Sequence, residues 1–232
     1  AFDTVNHNIL LKKLEKYGIR GIVNNWFASY LHNRQQTVTI NNTTSIPQSI
    51  TCGIPQGSIL GPILFLLYIN DFHHCSKLFD FHMFADANLF CSHKKLTSLQ
   101  ENINFELINI HTWLCANKLS LNIEKSNYVI FHPPQRKLPV SVRLILNDKQ
   151  LKKEKCIKYL GILIDSHLNW KPQVESIKNK LKRSVGIISK IRYYVNEQIL
   201  KNLYYSFIYP FLIYGIIAWG NTYPTTINPL CI

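Results

Sequence analysis

The sequence predicts an α+β fold, and three observations carry that reading. Short β-branched and aromatic runs alternate in irregular order with helix-period apolar stripes. Residues 96–114 hold one long unbroken helical stripe. The 232 residues are 47% hydrophobic, enough for one large or two small domains that bury roughly 70 to 75% of their unfolded surface. With only 17% charged residues, a disordered chain is excluded.

The elements follow in order. Ile9, Leu10, Leu14 and Tyr17 share one face of a helix over residues 7–17 that stops at Gly18. Val23, Trp26, Phe27, Tyr30 and Leu31 mark a second helix, and residues 37–40 alternate as a strand before the turn cluster 41–45, so a hairpin is expected there. Residues 59–69 are apolar on all sides and too short to cross a bilayer, which predicts a fully buried core helix starting near Pro62. Residues 79–90 read as an aromatic hairpin whose polar break, Asp86-Ala87-Asn88, is its turn. Leu96, Leu99, Ile103, Leu107, Ile110 and Leu114 step by three and four along an amphipathic helix. Short strands are expected at 128–131, 142–146 and 159–164. Beyond Trp170, a stripe from Val174 to Ile191 predicts a separate helical subdomain, and residues 203–219 a packed helix broken at Pro210. That last run approaches membrane-spanning length, and a membrane-associated basic protein is a minor alternative.

Charge narrows the partners. Twenty-six Lys and Arg against thirteen Asp and Glu give +13, which points to a polyanion, nucleic acid or an acidic membrane surface, and away from acidic small ligands. Residues 117–232 hold eighteen basic and six acidic side chains, hence +12 of that surplus. Six cysteines show no C-x-x-C spacing, so reduced thiols in an intracellular setting are expected. The His and Cys residues between 73 and 93 fit no common zinc spacing.

Two segments could carry chemistry. In Gly53-Ile54-Pro55-Gln56-Gly57-Ser58-Ile59-Leu60-Gly61-Pro62, glycines let backbone approach a ligand, a helix start favours phosphate, and Gln56 can donate and accept near a base or sugar. A tight turn before a core helix explains the same residues, and composition alone favours the turn. Phe84-Ala85-Asp86 sets a carboxylate in an aromatic hairpin, where it suits either a cation or an ordinary exposed turn.

Taken in order, five segments closely resemble the successive motifs of reverse transcriptases of non-LTR retrotransposons. They are Ala1-Phe2-Asp3-Thr4-Val5-Asn6-His7, the glycine-proline-glutamine segment, Phe84-Ala85-Asp86, Asn122-Ile123-Glu124-Lys125-Ser126 and Lys158-Tyr159-Leu160-Gly161. Residues 204–219, with Pro210, Tyr214-Gly215 and Trp219-Gly220, also look like the segment that follows the polymerase core in that family.

The resemblance implies a right-hand polymerase palm, mainly antiparallel sheet with packed helices, over residues 1–164, with partial fingers. A basic helical thumb and C-terminal segment would follow over 165–232. It implies attack of a DNA primer 3′-hydroxyl on a deoxynucleoside triphosphate, directed by an RNA template, with two Mg²⁺ ions between palm carboxylates. Asp86 would be the leading metal ligand and Lys125 the acid that protonates pyrophosphate. Phe2, Pro55, Gln56 and Gly57 would line the nucleotide pocket, Phe2 excluding a 2′-hydroxyl. Tyr159, Leu160 and Gly161 would lie near the primer end, with Lys178 and Lys182 on primer-template phosphates.

Two departures bear on activity. The chain opens Ala1-Phe2-Asp3 without Met or a basic start and apolar signal stretch, so an internal fragment is expected; the family's other metal aspartate lies five residues before the Phe2 position, upstream of Ala1, and Asp3 is a poor substitute. The family turn carries two adjacent aspartates, and position 87 is Ala. Nucleotidyl transfer by this polypeptide is therefore expected to be very slow or absent, and a non-catalytic nucleic-acid-binding remnant of a decayed element is the alternative.

Overall fold

A computed structural model describes residues 2–84, 86–136, 138 and 142–230, without the side chain of Asp86. The chain divides into two compact units, residues 1–126 with 142–151 and residues 127–141 with 152–232.

The first unit opens on a 3-10 turn, Phe2–Thr4. The Asn6 side chain then accepts the Ile9 N–H at 3.1 Å and starts α1 (His7–Lys16). α1 buries His7, Leu10 and Leu14 and ends before Gly18, whose φ of 94° only glycine adopts without strain. α2 (Ile22–Leu31) buries Leu31 alone. β1 (Gln35–Gln36), β2 (Thr39–Ile40), β3 (Thr43–Thr44) and β4 (Gln48–Ser49) form two nested antiparallel ladders, β1 with β4 and β2 with β3. Asn41 and Asn42 turn the inner ladder with φ of 48° and 64°, the two left-handed residues that a tight hairpin requires.

α3 (Leu60–Ile69) corrects one expectation. It is buried on one side, through Leu64, Phe65 and Tyr68, while Ile59, Ile63 and Leu66 are 90%, 50% and 56% exposed. Its apolar composition is uniform, but α1 packs on one face only, and burial follows the neighbours a helix has rather than its composition.

β5 (Asp80–Phe84) and β6 (Asp86–Phe90) pair antiparallel with Phe84 opposite Asp86. The expected turn at Asp86-Ala87-Asn88 thus lies inside a strand. α4 (Leu96–Ala116) buries Ile103, Leu107, Ile110 and Leu114, the inner edge of the predicted stripe. After β7 (Asn127–Tyr128), which belongs to the second unit, β8 (Ile145–Leu146) and β9 (Lys149–Gln150) form a hairpin on α4. The Asn104 amide of α4 holds it, donating to the Arg143 carbonyl at 3.1 Å and accepting the Ile145 N–H at 3.0 Å.

The core of the first unit joins Val5, Leu10, Leu14, Leu31, Ile54, Leu64, Phe65 and Tyr68; burying each aliphatic or aromatic side chain contributes about 1.5 to 3 kcal/mol. At its edge Lys13 Nζ donates to the Tyr68 carbonyl at 2.6 Å and pairs with Asp71 at 2.5 Å, between the rings of Tyr68 and Trp113. Burial lowers the Lys13 pKa, against the opposing pull of Asp71. The Tyr68 hydroxyl donates to the Asn117 carbonyl at 2.5 Å and ties α3 to the end of α4.

In the second unit β7 pairs in parallel with β10 (Lys152–Lys153). β11 (Cys156–Tyr159) and β12 (Ile162–Asp165) make an antiparallel hairpin across Leu160-Gly161, with φ of 45° and 84°. The single strand expected at 159–164 is therefore a turn followed by a strand, because a glycine after a left-handed residue closes a two-residue loop. The strands expected at 128–131 and 142–146 shrink to two-residue ladders, and every sheet among the described residues is two-stranded. Helices and small sheets are mixed, as an α+β chain requires.

The buried Asp165 carboxylate accepts the backbone N–H groups of His167, Asn169 and Trp170 at 3.1, 3.2 and 2.8 Å, fixing the loop that starts α5 (Lys171–Ile191). Val174, Ile177 and Leu181 of α5 pack with Trp219. α6 (Glu197–Phe207), α7 (Tyr209–Ile213), α8 (Ile216–Trp219) and α9 (Pro224–Ile227) follow. The helix breaks beside Pro210, as expected, and α6 and α7 pack against α5, with the partly buried Leu212 of α7 on the core around Trp219, although neither helix buries a residue fully. Among the described residues no helix is long and apolar enough to cross a membrane.

Cys52, Cys75, Cys91, Cys115 and Cys156 are free thiols. Burial pushes the Cys75 thiol from its ordinary 9.0 up to about 11, so little of it is thiolate at neutral pH. Alkylation by iodoacetamide at pH 8, followed by peptide mass spectrometry, should modify Cys75 on the order of 100-fold more slowly than an unshifted thiol, the rate rising as pH approaches 11.

Candidate functional site

The first predicted motif is zipped onto the second. Ile54 N–H donates to the Phe2 carbonyl at 3.0 Å and Gly53 N–H to the Val5 carbonyl at 2.8 Å. Buried His7 places Nε2 2.7 Å from the Gly53 carbonyl, where Nε2–H donates. A Cβ on Gly53 would sit 2.9 Å from the Asp3 carbonyl oxygen, and its φ is 90°, so this approach admits only glycine. The Phe2 ring stacks on Phe65 of α3 with centroids 4.4 Å apart.

Gln56 is exposed, and its amide donates to the Asp3 carboxylate at 2.8 Å. Gly57 turns with a φ of 79° and has nothing within 4 Å of where its Cβ would lie, leaving that side open. The Ser58 hydroxyl donates to the Pro55 carbonyl at 2.9 Å and accepts the Gly61 N–H at 3.0 Å. That serine uses one of the free N–H groups at the start of α3 that sequence reasoning assigned to a phosphate. Phe2 is thus joined to this segment through its backbone carbonyl, with its ring on the core, and Asp3 is joined to it through Gln56.

Of the other candidates in this unit, Asp86 opens β6, and its side chain lies outside the described residues with Ala85. Its neighbour Ala87 stands opposite Met83, and its side chain carries no oxygen. Lys125 is exposed at the end of a 3-10 turn, Ile123–Lys125, that the Asn122 side chain caps by accepting the Lys125 N–H at 3.1 Å.

The second unit joins the motif at 158–161 to the segment over 204–219. The Tyr214 hydroxyl donates to the Leu160 carbonyl at 2.6 Å, and its ring lies 3.3 Å from where a Gly161 Cβ would be. A Cβ on Gly215 would fall 2.2 Å from Ile162 Cδ1, so Tyr214-Gly215 is fitted to the tip of the β11–β12 hairpin. Tyr159, Leu160 and Gly161 are held there. Lys178 and Lys182 lie one turn apart on α5, half-buried and exposed.

Residues 1–164 match the family described as reverse transcriptase (RNA-dependent DNA polymerase). The chain belongs to the reverse transcriptase family. Among curated proteins it is similar to the "Probable RNA-directed DNA polymerase from transposon BS" of Drosophila melanogaster, 28% identical over 95% of this chain and 25% of that protein. It is similar also to the "Probable RNA-directed DNA polymerase from transposon X-element" of the same fly, 26% identical over 95% of the chain and 25% of the relative. The "RNA-directed DNA polymerase from mobile element jockey" is 24% identical over 99% and 26%. These relatives agree with the resemblance to non-LTR retrotransposon polymerases that motif order carries. The chain spans about a quarter of their length.

Sequence reasoning about this reverse transcriptase chain missed three contacts. Asp3, set aside as a metal ligand, is instead the partner of Gln56. His7 and Tyr214 act as hydrogen-bond anchors between motifs. The one signal for the first zipper was Gly53, since a glycine outside a regular element marks close backbone approach. Gly53→Ala is expected to lower unfolding free energy by about 2 kcal/mol or more, and Gly57→Ala by about 1 kcal/mol, in chemical denaturation. Tyr214→Phe, which keeps the ring and removes the donor, should cost about 1 kcal/mol in the same measurement.

Proposed function

We propose that this chain is the palm and thumb of an RNA-directed DNA polymerase of the non-LTR retrotransposon type, whose own residues bind nucleic acid but do not complete the catalytic centre. The palm is residues 1–164 and the thumb 165–232. The substrates are an RNA template, a DNA primer and deoxynucleoside triphosphates. The observation that supports the reading best is the contact between the first two family motifs: the Phe2 carbonyl is bonded to Ile54 and Asp3 to Gln56, next in sequence to the open Gly57.

In this reading the Phe2 ring, backed by Phe65, meets the sugar of the incoming nucleotide and leaves no room for a 2′-hydroxyl. Gln56, oriented by Asp3, offers its remaining amide valences to template or nucleotide. Lys125 would give a proton to departing pyrophosphate. Tyr159, Leu160 and Gly161 stand at the primer end, and Lys178 and Lys182 neutralise primer-template phosphates.

Divalent metal ions serve this family generally, and Mg²⁺ would be the ion here. The donor set does not fit a two-ion centre: Asp86 offers a carboxylate where position 87 offers a methyl group. No catalytic step is therefore assigned to a metal in this chain. The same substitution favours the second reading, a non-catalytic nucleic-acid-binding remnant of a decayed element.

Two measurements check the proposal. Ala87→Asp should raise Mn²⁺ affinity, read from the spectroscopic signal of the free ion, by about tenfold, and adding Asp86→Asn should cancel the gain; a gain that survives overturns the metal assignment. Binding to an RNA–DNA hybrid should weaken steeply with salt, and alanine at Lys178 or Lys182 should reduce the log–log slope by roughly 1 each. Salt-independent binding overturns the thumb contact.

A further inference from the structure

The second unit exposes aromatic rings beside its most basic helix. Tyr204, Tyr205 and Tyr209 touch one another, with ring centroids 5.3, 5.3 and 6.2 Å apart, yet they are 40%, 59% and 40% exposed. Residues 202–232 contain no Asp, Glu, Lys or Arg. α5 packs against both α6 and α7 and carries Lys171, Lys178, Lys180, Lys182, Arg183 and Lys190 against a single acid, Glu175. Lys180 joins the two surfaces, its Nζ 5.4 Å from the centroid of Phe211 on α7.

Charge decides what such a face receives. The unit holds fourteen Lys and Arg and four Asp and Glu, a net of +10, which repels a second copy of itself and attracts a polyanion. A duplex keeps its bases stacked inside, out of reach of protein rings, whereas an unpaired strand presents a π-face at every base. We propose that the tyrosine face of α6 and α7 is a stacking platform for unpaired bases, with the α5 lysines on the phosphates of the same strand. The proposal rests on the nucleic-acid-binding reading above and adds a single-stranded ligand to it.

The test is fluorescence anisotropy with the full chain and two labelled twelve-nucleotide strands, oligouridylate and an abasic sugar-phosphate strand of equal charge. The base-bearing strand is expected to bind about tenfold more tightly or better. Tyr204→Leu and Tyr205→Leu, which keep apolar area and lose the ring, should each remove about fivefold of that preference without changing abasic binding. Tyr204→Phe and Tyr205→Phe should retain it. Circular dichroism of each variant checks that it is folded. Equal affinity for the two strands, with salt-dependent binding of both, sinks the platform and leaves the thumb reading standing; binding of neither strand sinks both. If the leucine variants instead abolish self-association in sedimentation, or binding to phosphatidylserine vesicles, while the base preference is unchanged, the face belongs to a protein or lipid partner and the proposal fails.

Discussion

The contact between Asp3 and Gly53 is the constraint on which the first unit's candidate site depends. Backbone lies against backbone there with no room for a methyl group. Two amide hydrogen bonds and the His7 side chain close around the contact. Each such bond is worth only about 1 kcal/mol net, but together they fix where Phe2 and Gln56 can be. The Asp3–Gln56 bond is exposed and adds little to stability; its effect is to orient an amide.

The second unit uses the same device. Gly215 lets the chain pass Ile162, and Tyr214 bonds the carbonyl of the left-handed residue at the hairpin tip. Asp165, at the other end of that hairpin, gathers three N–H groups and launches the basic helix α5. In both units, motifs far apart in sequence meet through a glycine whose missing side chain makes the approach possible. Those glycines are structural requirements for the placement of the candidate side chains around them.

The electrostatics divide in the same way. Nearly all of the surplus positive charge belongs to the half of the chain that includes α5, and the first unit pairs its best-buried cation, Lys13, with Asp71. In the proposed reading, the strongly basic second unit suits strand binding, where phosphate neutralisation supplies affinity. Catalysis makes a different demand, because charge must be held at a point. In the proposed reading, the methyl group at position 87 supplies no side-chain oxygen for that purpose.

The sequence by itself determined the element types, the α+β class, the charge asymmetry and the family, because stripes such as Ile103 to Leu114 and motif order are local or linear properties. It also settled the absence of a carboxylate at position 87, which no folding can restore. It misjudged α3, whose uniform apolar composition cannot reveal that only one side finds a neighbour, and it placed the β5–β6 turn inside a strand, since pairing register is fixed across strands. Tertiary structure alone decided that Asp3 meets Gln56, that Tyr214 seats on Leu160, and that the tyrosines of α6 and α7 remain in solvent. Each depends on which distant segments approach, and that is set by packing and close backbone contact, which no single stretch of sequence encodes.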